Sequence, residues 1–403
     1  MSIFEYEGKT KQGALRKGKM DATDETAVVS ALRSVGVYPI RINNEKKSFF
    51  NMDLSQFQKV SLKDLYIFCR EFSYIMGSGM GIVKALDILK DETENKRFKT
   101  VISNVSDSVQ KGQELSKSFG DYKEFPELFV NMISVGEASG NLDDIMKKLA
   151  DYYEKEYKQQ QKVKQALTYP AIISIFAFLV VNVLVIKVVP TFTNIILQDG
   201  GTASSIPLPT KIVTSISSSL VNFWWIYILV IAGLISAFKY ITKLKKFEYD
   251  KLKIDMPVIG KIIRKLISAK FARTFGILIN SGITILTSIE VSANVVENEY
   301  VKNLILGTME ELQKGAGLSE TLDSLGIFPS MLTQMIRVGE ESGTLDSVLT
   351  KTAEFYDGEI EVATAQLTTL IEPAIIIILG VIVGFVIVSI LLPIFQTYSL
   401  AGN

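Results

Sequence analysis

The chain repeats part of itself at a fixed offset of 203 residues, without a gap, from about residue 68 to residue 192. The offset carries Gly136 to Gly339 and Arg70 to Arg273. A register held over so long a stretch predicts two structurally equivalent units. Each copy ends in a long apolar run, so each unit is expected to be a soluble domain that continues into a membrane helix.

Three segments are apolar enough to span a bilayer, since a crossing helix needs about 20 mainly apolar residues. Buried core helices are the alternative, but these are usually shorter and carry a polar stripe. The offset also relates Pro170 to Pro373, which mark the entries to the first and last runs. We predict membrane spans at 166–189, 220–238 and 371–395.

Lysines set the expected orientation of these spans. Clusters precede the first span and follow the second: Lys155, Lys158, Lys162 and Lys164, then Lys239, Lys243, Lys245 and Lys246. The segment between the spans, 190–219, has Lys211 as its one basic residue, so the positive-inside rule makes it an external loop between cytoplasmic domains. With three crossings the chain must end on the side opposite to its N-terminal domain, so 396–403 is expected to be an external tail. No cleavable signal peptide is expected, because the N-terminus is charged early and lacks an apolar core.

The composition excludes several kinds of enzyme. The chain has no histidine, and Cys69 is its one cysteine. Disulfides within the chain, histidine-ligated metals and Ser-His-Asp or Cys-His catalytic groups are therefore excluded. Lys+Arg and Asp+Glu balance at 43 each, so no global field favours nucleic acid. We expect that the chain is not an enzyme and that it binds no cofactor. We expect Cys69 to be a small core residue.

Residues 1–45 are predicted to form a small α/β module, followed by a polar linker at 46–60. Its expected elements are a strand at Ile3–Glu7, a turn at Gly8–Gln12, strands at Gly13–Met20 and Val37–Ile42, and a helix at Glu25–Val35 capped by Thr23 or Asp24. Either the module is a simple folded cap, or it binds a partner.

The same module contains two imperfect phosphate-loop patterns. Gly13 to Lys19 has the glycine and lysine spacing of a Walker A loop, but Met20 occupies the position where Ser or Thr must reach Mg²⁺. The second pattern, ending at Thr10, has Ile3 in place of its first glycine. We expect no nucleotide site, so any ATP energy must come from another chain.

The repeated units, at 61–165 and 239–370, are predicted to be helical bundles. Ser61 and Asp64 have the spacing of a capping box, and a glycine-rich turn follows at 77–81. Further helices are expected near 95–111 and 127–135, and from Leu142 into the membrane.

One motif occurs in both bundles. It comprises Gly136, Glu137, Ser139, Gly140 and Leu142 in the first copy and Gly339, Glu340, Ser342, Gly343 and Leu345 in the second. We interpret it as a helix–helix corner: the first glycine ends a helix, Ser-Gly makes a left-handed turn, and Asn141 or Thr344 caps the next helix. The alternative is a contact surface or a cation site at Glu137 or Glu340.

These features resemble the GspF/PilC family of inner-membrane platform proteins of type II secretion systems and type IV pili. The resemblance rests on the duplicated motif and on the span entries 167–170 and 370–373, and it covers nearly the whole chain. It implies a non-enzymatic, multi-pass protein of the bacterial cytoplasmic membrane. Such a protein links a cytoplasmic hexameric assembly ATPase to pilin subunits and other inner-membrane assembly proteins.

Several alternatives stay open within and beyond this resemblance. A lysine- and isoleucine-rich composition without histidine is compatible with a low-GC bacterium and favours a pilus, with type II secretion as the alternative. Gly380 and Gly384 allow close helix approach, either within one chain or in a homo-oligomer. A transporter is less well supported, because the central portions of the spans carry no ionisable residue. A membrane enzyme is less well supported, because the chain has no histidine, no second cysteine and no correct phosphate loop.

Overall fold

A computed structural model describes residues 2–10, 15–22, 25–44, 58–198, 207–257 and 259–401. The chain divides into two compact units. One comprises residues up to 59 together with 94–97, and the other contains the remainder, including both repeated bundles and the apolar helices.

The N-terminal module is a three-stranded antiparallel sheet with one helix. Its elements are β1 (Ser2–Thr10), β2 (Leu15–Ala22), α1 (Glu25–Ser34) and β3 (Val37–Asn44), in the sheet order β2-β1-β3. Phe4, Val28, Leu32 and Val37 form its core. β1 continues to Thr10, where we expected a turn, because Lys9 pairs with both neighbouring strands. The expected cap at Thr23 or Asp24 lies outside the described residues.

The first repeated bundle is helical, as predicted. Its helices are α2 (Leu62–Gly77), α3 (Ile82–Glu92), α4 (Lys96–Gln110), α5 (Leu115–Gly120), α6 (Glu127–Ser139) and α7 (Leu142–Val183). The capping box at the start of α2 is confirmed: Ser61 Oγ accepts from the Asp64 amide, and the Asp64 carboxylate accepts from the Ser61 amide at 2.8 Å. The glycine-rich turn lies between α2 and α3.

A cluster of phenylalanines forms the centre of this bundle. Phe119 contacts Phe125 and Phe129 with ring centroids 4.4 and 4.9 Å apart, and Phe68 packs against the same rings. Cys69 is fully buried beside them, and burial raises the pKa of its thiol. The prediction that Cys69 is a core residue is confirmed.

The second bundle repeats this architecture. Its helices are α11 (Lys246–Asp255), α12 (Ile259–Asn280), α13 (Ile285–Val295), α14 (Glu299–Gly307), α15 (Met309–Gln313), α16 (Leu318–Ser324), α17 (Ser330–Ser342) and α18 (Leu345–Ala401). Phe271, Phe275 and Phe328 occupy the core positions equivalent to Phe68, Phe72 and Phe125. The repeat in sequence is therefore a repeat in structure.

Three helices are long and apolar enough to cross a membrane. They are α7 with its continuation to Asn194, α10 (Trp224–Leu244), and α18. α10 begins four residues later than the predicted span, because Leu220 belongs to the preceding helix. None of its 21 residues, all of which the structure describes, is buried.

The segment predicted as an external loop is helical in its described parts. A π-helical turn at Leu184–Val188 leads from α7 into α8 (Val189–Gln198), and α9 spans Leu208–Asn222. Val185, Val189, Val213 and Val386 pack together, joining these helices to α18. Prolines near the start of α9 and buried residues at helical spacing account for that helix. In the predicted tail, α18 continues to Ala401.

Candidate functional site

The duplicated motif forms the same left-handed corner in both bundles. Gly140 has φ 75° and Gly343 has φ 69°, a conformation that favours glycine. The amides of Asn141 and Thr344 each donate at 3.0 Å to the carbonyl of the motif's first glycine. The left-handed turn predicted at Ser-Gly is confirmed in both copies.

The first glycine of the motif has a different role from the one we predicted. Gly136 does not end its helix but lies inside α6, one turn before the corner. A Cβ at Gly136 would lie 3.0 Å from Ile145 Cγ1, and one at Gly339 would lie 2.9 Å from Leu345 Cα. Glycine is required there because the two helices of the corner cross in close contact. Asn141 makes no side-chain capping bond to α7.

Glu137 and Glu340 each tie two helices of their own bundle together. Glu137 Oε1 accepts from the Leu115 amide at 2.7 Å, and its Oε2 accepts from the Ser116 amide at 3.0 Å. Glu340 accepts from the amides of Leu318 and Ser319 in the same way. Each carboxylate therefore satisfies amides at the start of a short helix, α5 or α16, that have no partner within that helix.

Hydrogen bonds also determine the direction in which the pKa of Glu137 is shifted. Burial raises the pKa of Glu137, but bonds from the Ser116 and Leu115 amides and the Ser116 hydroxyl outweigh it, so the pKa is lowered. Within the described part of the chain, no three His, Cys, Asp or Glu side chains are grouped so that they could hold a metal ion. The geometry therefore favours a structural role for Glu137 and Glu340, in which each links two helices of its own bundle.

The two copies meet along α7 and α18, which run side by side in the same direction. Lys155 contacts Glu354 at 2.9 Å, and Lys162 contacts Glu361 at 2.5 Å. Further along, the Tyr169 hydroxyl donates to Glu372 at 3.2 Å. Because partners lie about one repeat length apart in sequence, equivalent positions lie at similar heights along the two helices.

A more buried network joins α7 to α12 of the second copy. Arg273 is only 8% exposed and binds Glu156 of the first copy and Asp357 of the second. Burial opposes its charge, but these carboxylates outweigh that effect and raise the pKa of Arg273. The Tyr152 hydroxyl lies 3.0 Å from Thr274 Oγ1 in the same contact. The sequence showed that Arg70 and Arg273 are equivalent, but not that only Arg273 bridges the copies.

A cavity of about 760 Å³ opens beside this network and is lined by both copies. The Tyr153 hydroxyl in its wall is buried and makes no hydrogen bond. The charged groups of the wall are largely paired already, as Lys270 is with Glu297 at 2.8 Å. The network and the cavity together place the junction of the copies at the base of the membrane helices.

The prolines at the membrane entries lie inside continuous helices. Pro170 cannot donate to the Ala166 carbonyl, and Thr368 Oγ1 of the neighbouring helix approaches that carbonyl at 3.3 Å. Pro373 lies at the equivalent place in α18. A Cβ at Gly380 or Gly384 would meet no atom of the described chain within 4 Å. The proposed packing role of these two glycines within the chain therefore has no contact to support it.

Comparison with known sequences adds the family. The profile described as "Type II secretion system (T2SS), protein F" matches residues 68–190 and again 271–393, and the corresponding N-terminal domain matches 1–43. The chain belongs to the type II secretion system protein F family. The second matched stretch is offset from the first by 203 residues, which is the offset of the internal repeat.

Relatives of this protein F family include pilus and secretion components. The chain is 36% identical to "Type IV pilus assembly protein PilC" of Myxococcus xanthus, over 99% of this chain and 95% of that protein. It is 33% identical to the PilC of Thermus thermophilus, over 98% of both chains. It is 31% identical to "Type II secretion system protein F" of Vibrio cholerae, over the full length of both. The resemblance inferred from the motif is confirmed.

Proposed function

We propose that the chain is the integral platform protein of a type IV pilus assembly machine in a bacterial cytoplasmic membrane. In this role it would couple a cytoplasmic assembly ATPase to the extraction and polymerisation of pilin subunits. The observation that carries the proposal is the continuity of α7 and α18, which leave the bundles and become apolar without interruption at their prolines.

This continuity suits the transmission of force across the membrane surface. At 1.5 Å per residue, α7 is roughly 60 Å long and α18 roughly 85 Å long. The cross-copy pairs of Lys155 and Lys162 and the buried Arg273 network hold the two helices together below the entry points. A displacement of the bundles would therefore be passed to both apolar helices.

A separate motor is part of the proposal, and we infer that this chain is not itself an enzyme. Leu15–Ala22 is a strand of an antiparallel sheet, whereas a phosphate loop must open into a helix. The ATPase, the pilins and other inner-membrane assembly proteins are the partners that this role requires. The relatives named for pilus assembly support the pilus role. The relatives named for type II secretion support the alternative, a platform of a secretion system.

The topology can be tested by labelling. Lys211→Cys in α9 should react with an impermeant thiol reagent from outside, and Lys246→Cys at the start of α11 should react only after permeabilisation. Cys69 can stay in place as a silent background, because it is buried and its thiol pKa is raised. Equal labelling of both sites in intact cells would contradict three crossings.

We infer that the N-terminal module is a docking site for the ATPase. It is a compact unit of its own and carries exposed charge, including Arg16 and Lys17. Removing residues 1–44 from the full chain in nanodiscs should weaken binding of the cognate ATPase without lowering the melting temperature of the bundles. A chain with Arg16→Glu and Lys17→Glu should mainly slow association, since exposed charges tune encounter rates.

Unchanged ATPase affinity after removal of the module would move the contact to the bundles. Deleting the gene separates the two machines: loss of surface pili with normal protein secretion supports the pilus role, and the reverse result supports the secretion alternative. ATPase activity in the purified chain alone would contradict a non-enzymatic platform.

A further inference from the structure

The contact between the two copies is head-to-tail rather than two-fold symmetric. Glu156 of the first copy binds Arg273 of the second. A two-fold relation would also bring Glu359, the equivalent of Glu156, onto Arg70, the equivalent of Arg273. Instead Glu359 binds Lys265 at 2.7 Å, and Arg70 binds carboxylates of its own copy. Each copy therefore contributes a different half of the interface, and one half of each copy is unused.

The unused half of the second copy lies on the cytoplasmic part of α18. Tyr152, which packs against the second copy, is 5% exposed, whereas its equivalent Phe355 is 45% exposed. Gln159 contributes to the Arg273 network, and its equivalent Val362 is exposed. We call the face formed by Lys351, Phe355, Glu359 and Val362 the α18 face. It is the surface that α7 buries in the first copy, with apolar side chains left in solvent.

The unused half of the first copy lies on α2 and α3. Leu278 and Val291 of the second copy are buried in the hydrophobic core of the first, and Ile277 packs at its edge. The equivalents of Ile277 and Val291 are Tyr74, which is exposed, and Ile88, which is 36% exposed against 1% for Val291. We call the face formed by Arg70, Glu71, Tyr74 and Ile88 the α2 face.

We propose that two molecules of this chain associate: the α2 face of one molecule docks on the α18 face of the other. This contact repeats, between molecules, the junction that the two internal repeats form within one chain. Phe355 then lies over the turn of α2 that carries Arg70 and Tyr74, as Tyr152 lies over α12. Glu359 meets Arg70, as Glu156 meets Arg273. The partner is a second molecule of the same chain, because the α2 face and the complementary α18 face are both present on one chain. The junction between the internal repeats already shows how two such faces fit together.

The same geometry favours a closed assembly. Residues paired across α7 and α18 are equivalent or nearly so, as in Tyr169 and Glu372, so the copies are related with little translation along these helices. Heterologous contacts with little rise close into rings rather than filaments. Insertion of every chain in one bilayer enforces the same condition. A dimer, which contains four repeats, is the smallest closed form.

Disulfide trapping between full-length chains tests the surface directly. Two differently tagged chains, one with Tyr74→Cys and one with Phe355→Cys, are co-expressed and oxidised in native membranes, with buried Cys69 unchanged. We expect a disulfide that joins the two tags. The matched control replaces Phe355→Cys by Glu310→Cys, whose side chain is also exposed on the second copy. Joining of the tags no greater than in this control would overturn the proposal.

Association of the purified chain provides the second test. Phe355→Ala should weaken dimerisation at least about tenfold by light scattering in detergent, as expected for a central aromatic contact. Glu359→Arg should also weaken it, and adding Arg70→Glu should restore it. Glu354→Arg, which alters a pair within the chain, is the control. A monomeric wild type, or a dimer that Phe355→Ala and Glu359→Arg leave intact at unchanged melting temperature, would refute the α18 face.

Discussion

Substitution of Arg273 by alanine tests whether the buried network holds the two copies together. The change leaves two carboxylates, Glu156 and Asp357, without their shared partner. Truncating one member of a buried ion pair costs about 3–5 kcal/mol, because the remaining charge is left desolvated. Glu156 keeps Lys270 at 3.9 Å, and Asp357 is partly exposed, so about 2–3 kcal/mol is the expected loss in unfolding free energy.

The internal repeat supplies a matched control at the equivalent position. Arg70 binds Asp151 and Glu154, both at 2.7 Å, but the Arg70 side chain is 23% exposed against 8% for Arg273, and Asp151 is 54% exposed. Glu154 also keeps Lys158 at 2.6 Å. Arg70→Ala should therefore cost about 0–1 kcal/mol, as is usual for exposed ion pairs.

The assay is thermal unfolding of both variants in one detergent, followed by circular dichroism. For large domains about 1 kcal/mol shifts the melting temperature by roughly 2–4 °C, so Arg273→Ala should melt roughly 4–12 °C below wild type. Arg70→Ala should melt within roughly 4 °C of wild type. Equal shifts for the two variants would refute the reasoning, because it assigns the bridging role to Arg273 alone.

Two further predictions concern the duplicated motif. Gly339→Ala should lower the melting temperature more than Gly136→Ala, because the Cβ added at Gly339 meets backbone atoms as well as a side chain, whereas the Cβ added at Gly136 meets side chains alone. An overpacking cost of about 1–3 kcal/mol is partly offset by about 1 kcal/mol of helix propensity. Gly307→Ala, which meets nothing within 4 Å, is the control, and equal melting of all three would contradict the close crossing. Glu137→Gln should destabilise the chain by about 1–2 kcal/mol at pH 7. The folded-state pKa of Glu137 is lowered, so its stabilisation is present above the ordinary pKa of 4.5 and is lost as pH falls through the folded-state pKa; a melting difference that does not shrink in acid would argue against a charged acceptor.

Features that depend on local sequence were predicted well. Ser61 and Asp64 lie three residues apart and cap their helix through each other's backbone, so the pattern contains the whole interaction. Gly140 was correctly assigned to a left-handed turn for the same reason. The repeat and the apolar runs required only register and composition, and they predicted the fold class. The duplicated motif and the span entries carried the resemblance to the family.

Features that depend on distant contacts were not predictable in this way. Gly136 looks like a helix stop in sequence, and only the approach of Ile145 shows that it is a packing position. Glu137 looks like a free acid, but its partners lie more than 20 residues earlier in the chain. Arg70 and Arg273 occupy equivalent positions of the repeat, yet the head-to-tail junction buries Arg273 and leaves Arg70 partly exposed.

The loosely packed helix α10 has an evolutionary consequence. α7 and α18 run in the same direction, so the proposed topology puts both bundles on the same side of the membrane. Tandem fusion of two genes whose products each cross the membrane once would place the second bundle on the opposite side. In the proposed topology α10 is the additional crossing that restores the orientation, a task that needs length and apolarity but no buried side chain.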